Sequence, residues 1–470
     1  MAIACGSFLS HLVLITYSNI FRQPLSLLTA IASWREGVSV APFALSWLPP
    51  MPAIALAIVL ALQILLLRVA ARQRFSLKDR LALGGCFTLA YAALFSVTLL
   101  LDPLSAAKQS AGVARLGVIR GYVGPWFAEL WYLNDERLLQ SAVEQYRRRS
   151  AELTPIEASI PIHDRLVIIQ VESLDYNILG YRANGIEVTP FLNSLREKSM
   201  LYRVRAFHPT GSADADFTML TGGPPASHVL NYNLPNFPYE DTLPQILGKH
   251  GFKTYAFHGN TGEFYNRRSA FQKMGFTEFS FREELERRGT FEIDRLGLQD
   301  RGVLNYSSLK FRQEKGPVCH FVITLTSHTP YVFLKANDRE VVPHPSDAVD
   351  RYFNHMRYVD NCLRDYFTSL GKHVTVVLYS DHPTEEGKDD FQPARVGPVQ
   401  YVPVFVYDSD RNLAELQKTR ASRALDGSLN IVDFVGYLRS QIELTFGAKA
   451  GDQTSEGRLV DPSSAESTNP

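Results

Sequence analysis

Leu166–Val171 reads LVIIQV, and the next two residues are Glu172 and Ser173. A short run of β-branched and aliphatic residues without polar alternation predicts a strand buried on both faces. Outward from it the same pattern recurs. Lys253–Phe257 (KTYAF), Val318–Leu325 (VCHFVITL), Val374–Tyr379 (VTVVLY) and Tyr401–Val406 (YVPVFV) read as further strands. Helical signals separate them. Thr189-Pro190 opens a helix with Thr as cap and Pro at the first position, and Phe191, Leu192 and Leu195 give its apolar face. Tyr352, Met356, Val359 and Leu363 recur at helical spacing before the Val374 strand. The alternation predicts an α/β domain, a mostly parallel sheet with helices on both faces.

Ligands of such sheets gather beyond the carboxyl ends of the strands. Glu172-Ser173 follows the first strand, His258-Gly259-Asn260 the second, His328 the third and Asp381-His382 the fourth. An acid there is often a helix cap and a lone histidine often a plain hydrogen-bonder. Together on one edge they predict a catalytic or metal site. Glu172, Asp381 and His382 offer oxygen and nitrogen without sulfur, which suits Mn²⁺, Zn²⁺ or Mg²⁺. A fourth ligand is sought in 208–222, HPTGSADADFTMLTG, where Ser212 precedes an acidic helix start. Its hydroxyl is either that ligand or an N-cap, and sequence does not separate the two.

The first hundred residues differ in kind. No charged residue precedes Arg22, none lies between Gly37 and Leu67, and none between Leu81 and Leu101. The second and third runs predict transmembrane helices at about 50–70 and 81–101, and the first, at about 3–21, is read as a further span, an uncleaved signal-like segment or the remnant of a longer membrane domain. Arg68, Arg72, Arg74, Lys78 and Arg80 against Asp79 place the loop between the second and third runs in the cytoplasm. Everything after Asp102 is then external. The expected organisation is a membrane part over 1–102, a juxtamembrane helical linker over 103–160, a catalytic domain over 161–447 and a disordered tail over 448–470. Within the linker, Gly121–Leu133 is read either as a helix on the lipid headgroups or as one packed on the domain. Lys+Arg and Asp+Glu both number 48, which gives no field for nucleic acid. Four cysteines without a CxxC pair exclude a disulfide scaffold and a zinc ribbon.

Six segments occur in order: VIIQVESLD, VTPFLNSL, GSADADF, FHGN with FYNR and KMGF, TLTSHTPY and VVLYSDH. Over roughly 160–440 the chain resembles the lipoteichoic-acid-synthase-type phosphoglycerol transferases of the alkaline phosphatase/sulfatase superfamily. The resemblance implies a multi-pass protein of the plasma (inner) membrane with a periplasmic or extracellular catalytic domain. That domain would move glycerol phosphate from phosphatidylglycerol to an envelope glycan or teichoic-acid acceptor. It implies one divalent metal, Mn²⁺ first, held by Glu172, Ser212, Asp381 and His382, with Ser212 as covalent nucleophile. It implies His328 near the phosphate as a catalytic and binding residue, and His258, Tyr265 and Arg267 in substrate binding, with Arg268 as the second choice of arginine. Ser212 stands where the family usually has threonine and Tyr265 where it commonly has tryptophan. Ser380-Asp381-His382-Pro383 replaces Gly-Asp-His-Gly, and the membrane part is short for the family. A phosphoethanolamine transferase and a sulfatase or phosphodiesterase-type hydrolase are the alternatives. No cysteine carries the xPxR that formylglycine formation needs, and Ser212 is followed by Ala-Asp-Ala.

Overall fold

The structure, a computed structural model, describes residues 136–147 and 162–455, apart from 209–210, 227–229, 235, 295, 333, 385, 389, 393–394, 397–398 and 419–425, and isolated residues between 54 and 85. Among the described residues no helix is long and apolar enough to cross a membrane. The expected spans at 3–21, 50–70 and 81–101 lie outside them save for isolated positions, and Gly121–Leu133 and the end of the tail lie outside them entirely.

Helix α1 (Glu136–Arg147) falls in the linker and docks on the domain. Tyr146 is fully buried there, and its hydroxyl donates to the Glu240 carbonyl at 2.6 Å. The domain then follows with β1 (Arg165–Val171), α2 (Pro190–Arg196), β2 (Met200–Ala206), α3 (Ala213–Thr221), β3 (Lys253–His258), α4 (Arg267–Lys273), β4 (Glu278–Ser280), α5 (Asp300–Gln313), β5 (Val318–Ile323), α6 (Ala348–Leu370), β6 (Thr375–Ser380), β7 (Val399–Asp408) and α7 (Ile431–Ser455). Helix α7 continues through the first residues of the segment expected to be a disordered tail from 448.

The main sheet runs β2-β7-β6-β1-β5-β3-β4, with Arg395–Val396 added against β7. Five strands from β6 to β4 are mutually parallel, and β7 lies antiparallel to both β6 and β2. Strand β7 was legible, but its reversed direction was not, and β2 (MLYRVRA) went unread. Its arginines interrupt the apolar run, and Arg203 instead lies over the ring of Tyr401 on the neighbouring strand.

The alternation of a strand divides one run between two cores. Leu166 and Ile168 enter a cluster with Phe217 of α3, Phe271 of α4 and Phe434 of α7. Val167, Ile169 and Val171 enter the opposite cluster with Val303 and Phe311 of α5 and Met356 and Leu363 of α6. The predicted periodic face of α6 is therefore buried as expected. Helix α2 begins at Pro190, but Thr189 makes no side-chain cap. Asp360 of α6 takes that role, accepting from the Phe191 and Leu192 amides at 2.8 and 2.9 Å. On the Leu166 face of β1 the third residue, after Ile168, is Gln170. Its amide meets the Ser212 carbonyl at 3.3 Å, and its oxygen accepts from the Tyr379 hydroxyl at 2.5 Å. The sheet thus begins to shape the site before its strands end.

Candidate active site

Glu172 and Asp381 are the first residues beyond β1 and β6, which are neighbours in register with Val171 opposite Ser380. Parallel pairing therefore sets the two carboxylates side by side. The chain turns sharply at Ser173, which has φ 56°. That turn lets the Ser173 amide donate to Asp381 Oδ1 at 2.9 Å and its hydroxyl donate to Glu172 Oε1 at 3.0 Å. The third strand of the group fixes Glu172 from its other side. The Thr324 hydroxyl accepts from the Glu172 amide at 2.9 Å, and Ser327 donates to its carbonyl at 2.6 Å.

His382 completes the group. Its Nδ1 faces the Pro383 carbonyl at 3.0 Å, and a carbonyl only accepts, so Nδ1 carries a hydrogen and Nε2 points inward. Nε2 lies 3.3 Å from Glu172 Oε1 and 3.5 Å from Asp381 Oδ2. Glu172, Asp381 and His382 each present a ligand atom within 4.8 Å of the others. Asp381 Oδ2 is buried and has no hydrogen-bond partner.

The electrostatics describe a cradle short of positive charge. Burial and the Glu172 charge push Asp381 up to about 7. Burial would also raise Glu172, but His328 and His382 outweigh it and hold that carboxyl well below its usual range. Burial lowers His382, yet Asp381 and Glu172 overcome it and push the imidazole up to about 10. Two buried carboxylates, one orphaned oxygen and an inward imidazole fit a divalent cation, whose binding would displace the proton from Nε2.

Ser212 stands at the start of α3 and does not act as its side-chain cap. Its backbone is already helical, and its side chain makes no capping hydrogen bond. The hydroxyl turns into the cradle instead, donating to Glu172 Oε2 at 3.3 Å, with His382 Nε2 at 3.5 Å. Ser212 is buried, though less completely than the carboxylates. The preceding Gly211 has φ 127°, and a Cβ there would stand 2.6 Å from the Tyr265 hydroxyl oxygen. Tyr265 therefore lies directly over the serine loop, in a left-handed conformation of its own (φ 57°).

Beside the cradle sits a second buried group. Arg267 is 2% exposed, and its Nε donates to Asp216 Oδ2 at 2.7 Å. Tyr232 donates to the other Asp216 oxygen at 2.9 Å. Burial pushes the Asp216 carboxyl up while Arg267 and Tyr232 pull it down. A guanidinium keeps its proton, so Arg267 is the positive partner of this pair. The Arg267 guanidinium also lies 5.1 Å from the centre of the Tyr265 ring and 3.5 Å, through Nη1, from His258 Nε2. His258 turns its Nδ1 to the Ile323 carbonyl at 3.1 Å. Burial and Arg267 hold it down to about 3, so it is a neutral acceptor toward the arginine. His328, half-buried on the turn after β5, acts electrostatically on Glu172 while its Nδ1 meets the Thr329 carbonyl at 2.6 Å.

The predicted residues Glu172, Ser212, Asp381 and His382 thus come together directly, with Tyr265, Arg267 and His258 beside them. Arg268 goes elsewhere, pairing with Glu284 at 3.0 Å and Glu283 at 3.2 Å. Sequence reading missed Gln170, Asp216 and His208, whose ring lies 4.8 Å from that of His382. The signal for Asp216 was present. It lies four residues after Ser212 on the same helix, and a buried acid there requires a cation.

Comparison with known proteins bears on the family of the chain. Residues 164–435, more than half the chain, match the sulfatase family. The chain is 28% identical over 265 residues to lipoteichoic acid synthase of Staphylococcus aureus (strain USA300), covering 53% of this chain and 40% of that protein. It therefore spans about two fifths of the length of the curated relatives it matches. Among solved structures, the lipoteichoic acid synthase LtaP of Listeria monocytogenes is similar at 19% identity and TM-score 0.49, covering 63% of this chain and 78% of that one. The Streptococcus pyogenes phosphoglycerol transferase GacH, in complex with sn-glycerol-1-phosphate, is similar at 16% identity and TM-score 0.44, covering 67% and 95%. The expected α/β architecture and the resemblance to lipoteichoic-acid-synthase-type proteins are both upheld, and the chain belongs to the sulfatase family.

Proposed function

We propose that the chain is a metal-dependent phosphoglycerol transferase that moves glycerol phosphate from phosphatidylglycerol to an extracytoplasmic glycan or teichoic-acid acceptor through Ser212. The observation that carries the reading is the Ser212 hydroxyl. It leaves its capping position unmade and faces two buried carboxylates and an imidazole. The similarity to lipoteichoic acid synthase supports the substrate class. The charge-free runs before residue 102 and the basic loop at 68–80 support a membrane anchor with the domain outside. Ile54, Ile58 and Leu65, helical and more than half exposed, are of the kind that faces lipid.

Glu172, Asp381, His382 and Ser212 would hold the cation, with Mn²⁺ first and Zn²⁺ or Mg²⁺ as the other candidates. A bound divalent ion would supply positive charge that favours the serine alkoxide and the phosphoryl oxygens. The chain's own residues do the rest. Gln170, held by Tyr379, fixes the Ser212 backbone so that its hydroxyl stays aimed. Ser212 Oγ forms a bond to phosphorus as the bond to the diacylglycerol oxygen breaks. The serine proton passes by way of His328 to that oxygen, and diacylglycerol departs. An acceptor hydroxyl then attacks, the serine–phosphorus bond breaks, and the acceptor's proton returns to Ser212. Tyr265 covers the serine loop, where it would bound the glycerol. The outer edge of Arg267, anchored by Asp216 through Nε, would meet the phosphate with its planar fork.

Incubating the purified full chain with Mn²⁺ and phosphatidylglycerol labelled in headgroup and acyl chains tests the proposal. The expected products are diacylglycerol and glycerol phosphate joined to an added glycan acceptor. Headgroup release to water alone, or preferential use of phosphatidylethanolamine, would contradict it.

A further inference from the structure

The sheet carries a second convergence of histidine and aspartate, at the edge opposite Ser212. His163 lies two residues before β1, and His373 two before β6. Strand β7 runs the other way, so its carboxyl end, at Asp408, arrives beside the amino end of β6, where Asp408 pairs with Thr375. The order β7-β6-β1 thus brings three distant parts of the chain to one point.

Side chains complete the convergence. His373 Nδ1 lies 2.6 Å from Asp410 Oδ2, and His163 Nε2 lies 3.6 Å from the same oxygen. His163 Nε2 also lies 3.1 Å from Asp408 Oδ1. One ligand atom each from His163, His373 and Asp410 falls within 4.8 Å of the others. Ligand atoms of a tetrahedral zinc ion stand about 3.3 Å apart, given bonds of about 2.0–2.1 Å. The two histidine-to-Asp410 separations, 2.6 and 3.6 Å, bracket that value.

The carboxylate is already oriented. Asp410 Oδ1 accepts from the His373 amide at 3.2 Å and from the Ser409 hydroxyl at 3.1 Å, leaving Oδ2 turned toward both histidines. Outer hydrogen bonds of this kind fix a ligand before the ion arrives. His373 reaches the site from a left-handed turn (φ 57°) after α6, a conformation uncommon for a residue with a side chain. Its ring is three-quarters exposed, so an ion has an open approach. On the inner side, Asp408 is buried and shares its charge with Arg411.

We infer that His163, His373 and Asp410 form a second divalent-metal site, of zinc type, with Asp408 behind it. Two imidazole nitrogens and a carboxylate oxygen suit zinc better than magnesium or calcium, which prefer oxygen alone. The ion would staple the first residues of the domain to the far ends of β6 and β7. It stands apart from the reaction at Ser212 and does not depend on it.

Zinc alone is the probe, and the full chain in detergent the sample. A parent variant, Asp381→Asn with His382→Ala, disables the other cluster. This parent should bind one Zn²⁺ per chain and melt at a higher temperature with zinc than without. Adding His163→Gln and His373→Gln should remove that ion and the shift in melting temperature. In the otherwise unchanged chain, the same two substitutions should leave one zinc fewer per chain and turnover of phosphatidylglycerol unaltered. Undiminished zinc stoichiometry in the glutamine variants, or saturation only at millimolar zinc, would overturn the site. Should the parent fail to fold, the loss of one zinc from the otherwise unchanged chain decides the matter.

Discussion

Two buried charge groups sit side by side in the candidate active site and are built on opposite plans. Asp216 and Arg267 balance each other, one acid to one base, with Tyr232 taking the second carboxylate oxygen. Glu172 and Asp381 face each other across one imidazole, and Asp381 Oδ2 is left without a hydrogen-bond partner. A balanced pair is complete in the folded chain and serves to hold its members still. An unbalanced cluster is tolerated where something from outside completes it. On the proposed reading, the comparison separates residues that position from those that would take part in the reaction.

The largest effect should come from the unbalanced side. Asp381→Asn removes one of two repelling carboxylates and leaves too few anionic ligands. Turnover should fall to background, and metal titration should show the ion lost, while the protein without metal should melt no lower than the parent. Full activity after metal refilling would merge the two plans into one.

Breaking the balanced pair should act on folding. Asp216→Ala leaves a buried guanidinium uncompensated, a change that costs roughly 3–5 kcal/mol. Replacing both partners by apolar residues, Asp216→Leu with Arg267→Met, should recover much of that stability in urea titration while activity stays low. A double variant no more stable than Asp216→Ala would show that the pair is not a closed unit.

His258 sharpens the contrast through pH. Its folded pKa is held down to about 3 against an ordinary 6.5. Below 6.5 the unfolded chain gains a proton that the folded chain refuses. The His258 contribution is therefore full above that pH and declines toward 3, by up to about 1.4 kcal/mol per pH unit. The difference in unfolding free energy between the parent and His258→Gln should slope between pH 6 and 4 and be flat above 7.

The smallest effect belongs to the neighbouring arginine. Arg268 is part-exposed and meets three glutamates, so Arg268→Ala should cost about 1 kcal/mol or less. It should leave kcat/KM for the lipid donor nearly unchanged, where Arg267→Ala lowers it. A kcat/KM loss in Arg268→Ala equal to that in Arg267→Ala would remove the distinction between them.

Much of this was readable from residues alone, for reasons the two groups make plain. Glu172 and Asp381 follow buried apolar runs, and parallel pairing turns equal positions after two strands into spatial neighbours. Position along the chain therefore reported position in the site. Asp216 was signalled only by its place in the acidic start of α3, because its partner is 51 residues away, at the first position of α4, and no local pattern names it. Gln170 was hidden inside a strand, where a polar residue reads as an irregularity until Tyr379 and Ser212 appear around it. Strand β2 was missed because its arginines face neighbouring rings and solvent at the sheet's edge. The reversal of β7 was beyond reach because strand direction is set by the connection, and among the described residues of 381–398 no helix marks a parallel crossover.

The nucleophile is the claim on which the rest turns. Peptide mass spectrometry of the full chain, quenched during turnover of phosphatidylglycerol with Mn²⁺, tests it most directly. The peptide containing Ser212 should carry a glycerol-phosphate adduct, lost in Ser212→Ala together with diacylglycerol release. Because Ser212 makes no cap, that variant should melt near the parent. Ser212→Thr should retain the adduct. Diacylglycerol released by Ser212→Ala at the parent's rate, with no adduct in the parent, would show that the acceptor or water attacks directly and that Ser212 only lines the cradle.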